Sequence, residues 1–412
     1  MKKLLLITYF FPPSNSVGAI RAKGIAKYLP SFGWDVFILT PLTFSERDNK
    51  YKVIETYPPF REKLGYFKRK LFIDYNKIVY KPPFYKSFFS IFNEILPIPD
   101  TKKGWILYGV YSGREIIKKE NISAIISVYS PATCHVIGYK LKREFPHIKW
   151  IADFRDLWLF NPFSSYNKLN KFFIRKIERK ILAISDFLTT VSEPFAKQLK
   201  DSYNKESFPI PNGFDPEEFN FKCSIDNKFS ITYTGSLYSG ERNPERLFLV
   251  IKKMVCEDKK MKENLEINFY SKYEPFIEKL IKKYGLEEVV KQKGIIPREE
   301  VIKKQKSSQI LLLLNRNFIE DKGVYTGKLF EYLGARRPIL AIGHKESVVK
   351  DLIKETNAGV YCWEEQHLYH TLKDWYKEWK LKKIVEYKGI EDKVNLYSHK
   401  SMAEKFAFVL EK

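Results

Sequence analysis

Short apolar runs alternate with stretches of helical periodicity from one end of the chain to the other. In the first half, Lys3–Thr8, Trp34–Thr40, Ala124–Val128, Trp150–Ala152 and Phe187–Val191 read as strands. Apolar residues recur every three to four positions in Gly18–Ser31, Gly104–Lys119, Ala132–Glu144, Asn167–Ala183 and Pro194–Ser202, which predicts helices between most of them. Strands buried on both faces lose the alternation of a half-exposed sheet, and helices between them serve as crossovers. The pattern therefore predicts an α/β protein built on parallel sheet.

After residue 208 the pattern restarts, with strands expected at Phe229–Tyr233, Leu265–Tyr270, Ile310–Leu314, Ile339–Ile342 and Gly359–Tyr361. The run Pro209-Ile-Pro-Asn-Gly-Phe-Asp-Pro216 is dense in turn formers and reads as a hinge. Two Rossmann-like, doubly wound domains facing across a cleft are the expected architecture, at 1–208 and 209–390. The amphipathic stretch Ser398–Leu410 has no strand after it, and 391–412 is expected to pack back on the first domain.

Composition narrows the class. A chain of 412 residues with 44% hydrophobic and 29% charged residues is globular and too long for one ordinary core. Cys134, Cys223, Cys256 and Cys362 are scattered without zinc spacing, as expected of buried thiols in a reducing compartment. The opening MKKLLLITYFF imitates a signal peptide, but Pro12-Pro13 interrupts it and no small-residue cleavage site follows, so a first strand and a cytoplasmic location are expected. No apolar run is long enough to span a bilayer. The excess of 72 Lys+Arg over 49 Asp+Glu, a net charge of +23, points to a polyanionic or phosphorylated partner.

One segment breaks the alternation. Between Asn49 and Ser90, in an insertion of about 49–100, Tyr and Phe crowd among Lys and Arg. It reads either as an insertion packing its aromatics on its own domain or as a surface for anionic lipid headgroups. No nucleic-acid-binding motif accompanies it, so nucleic acid is not expected as a partner.

The most chemically suggestive stretch is Gly323–Ile342, GVYTGKLFEYLGARRPILAI, a loop, a short helix and a buried strand. Thr326 and Gly327 stand where the helix opens and its first N–H groups point outward, a place for a diphosphate. Lys328 adds a positive charge there, and Glu331 one turn later can accept from a ribose diol. The same residues also suit the solvated face of an amphipathic helix. In the first domain, the loop Phe11-Pro-Pro-Ser-Asn-Ser-Val-Gly18 puts Gly18 at a helix mouth, where a phosphate could approach closely. It is not G-x-G-x-x-G, which disfavours a nicotinamide dinucleotide.

Taken together, the pieces resemble the GT-B glycosyltransferases, specifically glycosyltransferase family 4, over nearly the whole chain. The matching pieces include S-V-G-A-x-R, G-W-D-V-F-I-L-T, A-D-F-R-D-L-W at Ala152–Trp158 and V-S-E-P at Val191–Pro194. They continue with P-N-G-F-D-P-E-E-F at Pro211–Phe219, Y-T-G-S-L-Y at Tyr233–Tyr238 and K-L-F-E-Y-L-G-A-R-R-P-I-L-A. The resemblance implies retaining transfer from a nucleotide-diphosphate sugar to a glycan or polyprenyl-linked acceptor in surface polysaccharide or glycan synthesis, at the cytoplasmic face of the membrane. It places Glu331 on the ribose, with Lys328 beside the phosphates and Thr326, Gly327 and Leu329 around them. Gly235 matches the glycine of the family's Gly-Arg turn at the donor site, where Ser236 replaces the arginine and Arg242, close to the place of the family's following lysine, is expected at the diphosphate; Gly294 and Ile295 are implied at the base.

Two positions depart from that family. Its first glutamate would fall at Gly323, with Glu320 or Asp321 as substitutes, and its His-Asp pair is replaced by Arg155-Asp156. Arginine is no base. Asp153 or Asp156 would then orient or deprotonate the acceptor, with Arg155 at a phosphate. No metal or other cofactor is expected, because basic groups already serve the phosphates. A nucleotide-sugar epimerase of the same fold, or a non-catalytic scaffold binding sugar nucleotide or membrane, are the alternatives.

Overall fold

In a computed structural model of the chain, the residues described are 1–14, 16–42, 49–57, 79, 80, 98–160, 168–318 and 321–412. Most of the basic aromatic segment Asn49–Ser90, including Lys68, Arg69 and Lys70, therefore lies outside the described residues, as does Glu320. The chain divides into two compact units, Met1–Asn212 with His399–Lys412, and Gly213–Ser398.

The first unit carries strands β1 (Lys2–Ile7), β2 (Trp34–Pro41), β3 (Lys52–Thr56), β4 (Val79–Tyr80), β5 (Ala124–Tyr129), β6 (Lys149–Phe154), β7 (Phe187–Thr190) and β8 (Ser207–Pro209). Their order is β4-β3-β2-β1-β5-β6-β7-β8, and every neighbouring pair is parallel. Helices α1 (Val17–Tyr28), α2 (Ile106–Glu120), α3 (Thr133–Glu144), α4 (Lys168–Leu182) and α5 (Glu193–Tyr203) join them. The apolar runs are the innermost strands: all of β5 is buried, as are Leu4–Ile7 of β1.

The second unit has β9 (Phe229–Thr234), β10 (Leu265–Tyr270), β11 (Val290–Gln292), β12 (Ile310–Leu314), β13 (Ile339–Ile342) and β14 (Gly359–Cys362). They form a parallel sheet in the order β11-β10-β9-β12-β13-β14. Its longer helices are α6 (Glu245–Glu257), α7 (Pro275–Tyr284), α8 (Arg298–Ser307), α9 (Gly327–Ala335), α10 (Val348–Thr356) and α11 (Glu365–Lys382). The last helix, α12 (His399–Glu411), returns to the first unit and packs on α1. Gly24 of α1 allows this approach, since a Cβ there would stand 2.7 Å from the His399 ring.

Each sheet reverses its winding once, between β1 and β5 and between β9 and β12. At such a switch point the loops leaving the two central strands part in opposite directions, and the gap at their carboxyl ends is open to a ligand. Gly18 follows β1 and Gly235, Ser236 and Arg242 follow β9, at these two places, whereas Arg155 and Asp156 follow β6 and Gly294 and Ile295 follow the edge strand β11. Strands β3, β4, β8 and β11 were not legible as strands: each is two to five residues long and stands on or next to a sheet edge.

Candidate functional site

In the second unit the site grows from the end of β9. Gly235 follows the strand with φ +100°, a left-handed conformation that glycine adopts without strain. It has a second reason to be glycine: a Cβ here would lie 2.7 Å from Cε of Lys328. The turn aims the carbonyl of Ser236 at three donors. Tyr233 Oη donates to it at 2.7 Å, Arg242 Nη1 at 3.4 Å and Lys328 Nζ at 3.5 Å. Burial pushes the Tyr233 phenol up to about 12, so it stays a proton donor.

Two cations thus meet at a neutral oxygen. Burial, and then the nearby Arg242 charge, bring the Lys328 ammonium down to about 7, while Glu331 opposes the shift. The ammonium also lies 5.1 Å from the Tyr233 ring centroid, and the Arg242 guanidinium 4.6 Å from that of Tyr238. Two half-buried cations that repel each other form a site whose electrostatic need is an anion.

The start of α9 adds to that field. Thr326 is its N-cap residue but makes no side-chain cap, and the first turn carries no acid. Among the described residues, no acceptor meets the N–H groups of Gly327 and Lys328. Leu329 differs from its expected role. Its N–H donates to the Thr326 carbonyl at 3.1 Å and its side chain is wholly buried, because the first turn tightens and turns this residue into the core.

Glu331, on the same helix, is held rather than loose. Its Oε1 accepts from Arg298 Nη1 at 2.8 Å, and its Oε2 from Gln305 Nε2 at 3.1 Å. Arg298 also donates to Glu218 at 2.7 Å, and Gln305 to Thr234 Oγ1 at 3.0 Å. A carboxylate fixed from both sides keeps spare lone pairs for a diol without free rotation of its own. Arg298, Gln305 and Glu218 went unnoticed in the sequence, although the position of α8 after the Gly294 loop was a usable signal. Gly294 has φ +78° and leads to Ile295, which is 78% exposed, an apolar side chain left standing in solvent on the loop ahead of α8.

No carboxylate stands at Gly323. Asp321, its suggested substitute, pairs with Arg316 Nε at 3.2 Å and is thereby committed to its own loop.

In the first unit, the residues of A-D-F-R-D fall into two groups. Asp153 is fully buried and takes a two-pronged ion pair from Arg21, Nε to Oδ2 and Nη2 to Oδ1, both at 2.8 Å. Thr189 Oγ1 donates to the same carboxylate at 2.7 Å. Arg21 reaches on to the Asn212 side chain and the Pro211 carbonyl, and lies over the Phe406 ring. With no surface exposed, Asp153 meets no acceptor in this arrangement; its place inside β6 makes it a structural anchor. Arg155 and Asp156 are partly exposed and pair with each other, Nε to Oδ2 at 3.0 Å.

Gly18 joins the second group. A Cβ on Gly18 would meet Arg155 Nη1 at 2.9 Å, so the guanidinium rests against the opening turn of α1. His135 belongs to the core: its Nδ1 meets Ser127 Oγ at 2.8 Å, and burial lowers it to about 3, so it stays neutral. Among the described residues, no group of three or more His, Cys, Asp or Glu side chains is placed to hold a metal ion, and no helix is long and apolar enough to cross a membrane.

No family model matches the chain, and no curated protein does either. Solved structures do. The sucrose-phosphate synthase of Thermosynechococcus elongatus superposes with a TM-score of 0.65 at 13% identity, over 100% of this chain and 98% of that one. A glycosyltransferase from Rickettsia africae ESF-5 gives 0.62 at 14% identity, over 100% and 98%. Anabaena HepE in complex with UDP-glucose gives 0.62 at 12% identity, over the full length of both chains. At such identities the likeness is one of fold, and it runs from end to end: this chain has the two-unit, Rossmann-like GT-B fold.

Proposed function

We propose that the protein is a retaining glycosyltransferase that moves a sugar from a nucleotide-diphosphate donor to a glycan or lipid-linked acceptor. The observation that carries this reading is the convergence of Lys328 and Arg242 on the Ser236 carbonyl, beside the uncapped start of α9. A diphosphate placed there would replace one neutral acceptor with several anionic oxygens and relieve the repulsion between the two cations. As the glycosidic bond breaks, charge grows on the departing diphosphate, and preorganised donors at that point lower the barrier without having to move. Glu331 would take the ribose hydroxyls, and the Gly294–Ile295 loop would lie against the base.

On the acceptor side, Asp156 is the exposed carboxylate of its loop and Arg155 the cation beside Gly18, so Asp156 would orient the attacking hydroxyl. With Lys328 and Arg242 at the phosphates, the reaction is proposed to run without a metal ion. The fold likeness to a protein solved with UDP-glucose makes uridine nucleotides the first donors to try.

The test is to incubate the protein with a panel of nucleotide sugars and measure nucleoside diphosphate release with and without lipid-linked or soluble glycan acceptors. Release that depends on acceptor, with sugar found on the acceptor, supports the transferase. Conversion of the sugar without any acceptor would make the protein an epimerase instead.

A further inference from the structure

Helix α4 of the first unit has a face that nothing in the donor or acceptor chemistry uses. Ile174, Glu178, Ile181 and Leu182 of this helix are buried, and these side chains fix which side faces inward. On the opposite side Phe172 is 52% exposed and Phe173 45%. At about 100° per residue, Phe172 falls in the middle of the exposed arc. Lys171, Arg175, Lys176, Arg179 and Lys180 surround it, all exposed. From Asn170 to Leu182 the helix has one acid, Glu178, and it points inward. The Lys176 ammonium lies 4.5 Å from the Phe172 ring centroid, and the two phenylalanine rings meet edge to face at 5.7 Å.

Five like charges on one helix face repel each other, and two large apolar rings in water cost free energy, so the face is poorly matched to bulk solvent. Both defects are removed by one kind of partner: an anionic surface with an apolar layer just beneath it.

We propose that the exposed face of α4 docks on an anionic lipid bilayer, with the Phe172 and Phe173 rings at headgroup level and the lysines and arginines on lipid phosphates. A single convex helix face suits a flat surface. Binding to single-stranded nucleic acid would call for a groove that follows the strand and stacks its bases. The inference concerns a surface of the first unit alone and stands or falls independently of the glycosyl-transfer reading.

The experiment uses the full-length protein in sedimentation with vesicles of phosphatidylglycerol and phosphatidylcholine, compared with phosphatidylcholine alone, at low and high salt. Binding is expected only to the anionic vesicles and is expected to weaken with salt. Lys176→Glu with Arg179→Glu should weaken it by at least about fivefold per side chain. Phe172→Ser with Phe173→Ser should weaken it while preserving its dependence on anionic lipid. All four positions are exposed, so thermal melting should remain that of the parent protein. Three results overturn the proposal: no binding to anionic vesicles at low salt, binding that both variants retain, or loss of single-stranded RNA binding in the variants with vesicles ignored throughout.

Discussion

Lys328 and Arg242, 86 positions apart in sequence, donate to the same oxygen, the carbonyl of Ser236. The Arg242 charge makes the Lys328 ammonium costly to keep protonated, and the shared acceptor carries no charge to compensate. This relationship has a consequence for pH. The Lys328 ammonium, lowered to about 7 by burial and by Arg242, is only partly protonated in the free protein near neutrality.

An anion bound beside it would raise that value again, so binding must take up a proton wherever the free lysine has lost one. The sign follows. Diphosphate affinity should be flat well below pH 7 and fall as pH rises above it, by up to about tenfold per pH unit. Calorimetry of nucleoside diphosphate binding in buffers of different ionisation enthalpy, at about pH 8, should show proton uptake approaching one per ligand. The uptake should vanish in Lys328→Met.

Gly235 is required twice, by its φ of +100° and by the Lys328 side chain 2.7 Å from where a Cβ would sit. Gly235→Ala should cost about 1–2 kcal/mol of backbone strain. It should also push the ammonium off the Ser236 carbonyl and weaken diphosphate binding. Urea unfolding and calorimetry on the same variant separate the two effects.

Much of this arrangement was readable in the sequence wherever one short segment carried all the information. Ile310–Leu314 and Ile339–Ile342 are apolar runs because both faces of their strands are covered, and each appears as a strand with the expected bounds. The three-residue edge strands Ser207–Pro209 and Val290–Gln292 have an uncovered side and tolerate Ser, Lys and Gln, which removes the signal. Long-range pairing is the other blind spot. Nothing local to Glu331 announces Arg298, and nothing local to Asp153 announces Arg21, 132 positions away. The sequence showed A-D-F-R-D as one acidic motif, whereas the pleat of β6 sends Asp153 inward and the turn after it leaves Asp156 outside.

That division predicts opposite behaviour for the two aspartates. Asp153→Ala would leave Arg21 buried without its partner and should destabilise the first unit by about 3–5 kcal/mol, read from urea unfolding. Asp156→Asn should unfold like the parent protein, bind nucleoside diphosphate normally and turn over more slowly. A stable Asp153→Ala protein with lost turnover would return Asp153 to the chemistry.

If Lys328 and Arg242 serve the phosphate position as proposed, transfer should proceed at its full rate in excess chelator. Strict dependence of transfer on Mg²⁺ or Mn²⁺ would show that Lys328 and Arg242 do not suffice as the counter-charge.

The carboxyl end of β9 and the start of α9 are proposed to hold the diphosphate of a sugar donor. Titration calorimetry of a panel of nucleoside diphosphates against the parent protein, Lys328→Met and Glu331→Ala tests it most directly. At least one diphosphate should bind the parent protein, and each variant should lose about 2–4 kcal/mol of that affinity while melting normally. That role is contradicted if no nucleoside diphosphate binds, or if one binds all three proteins equally well.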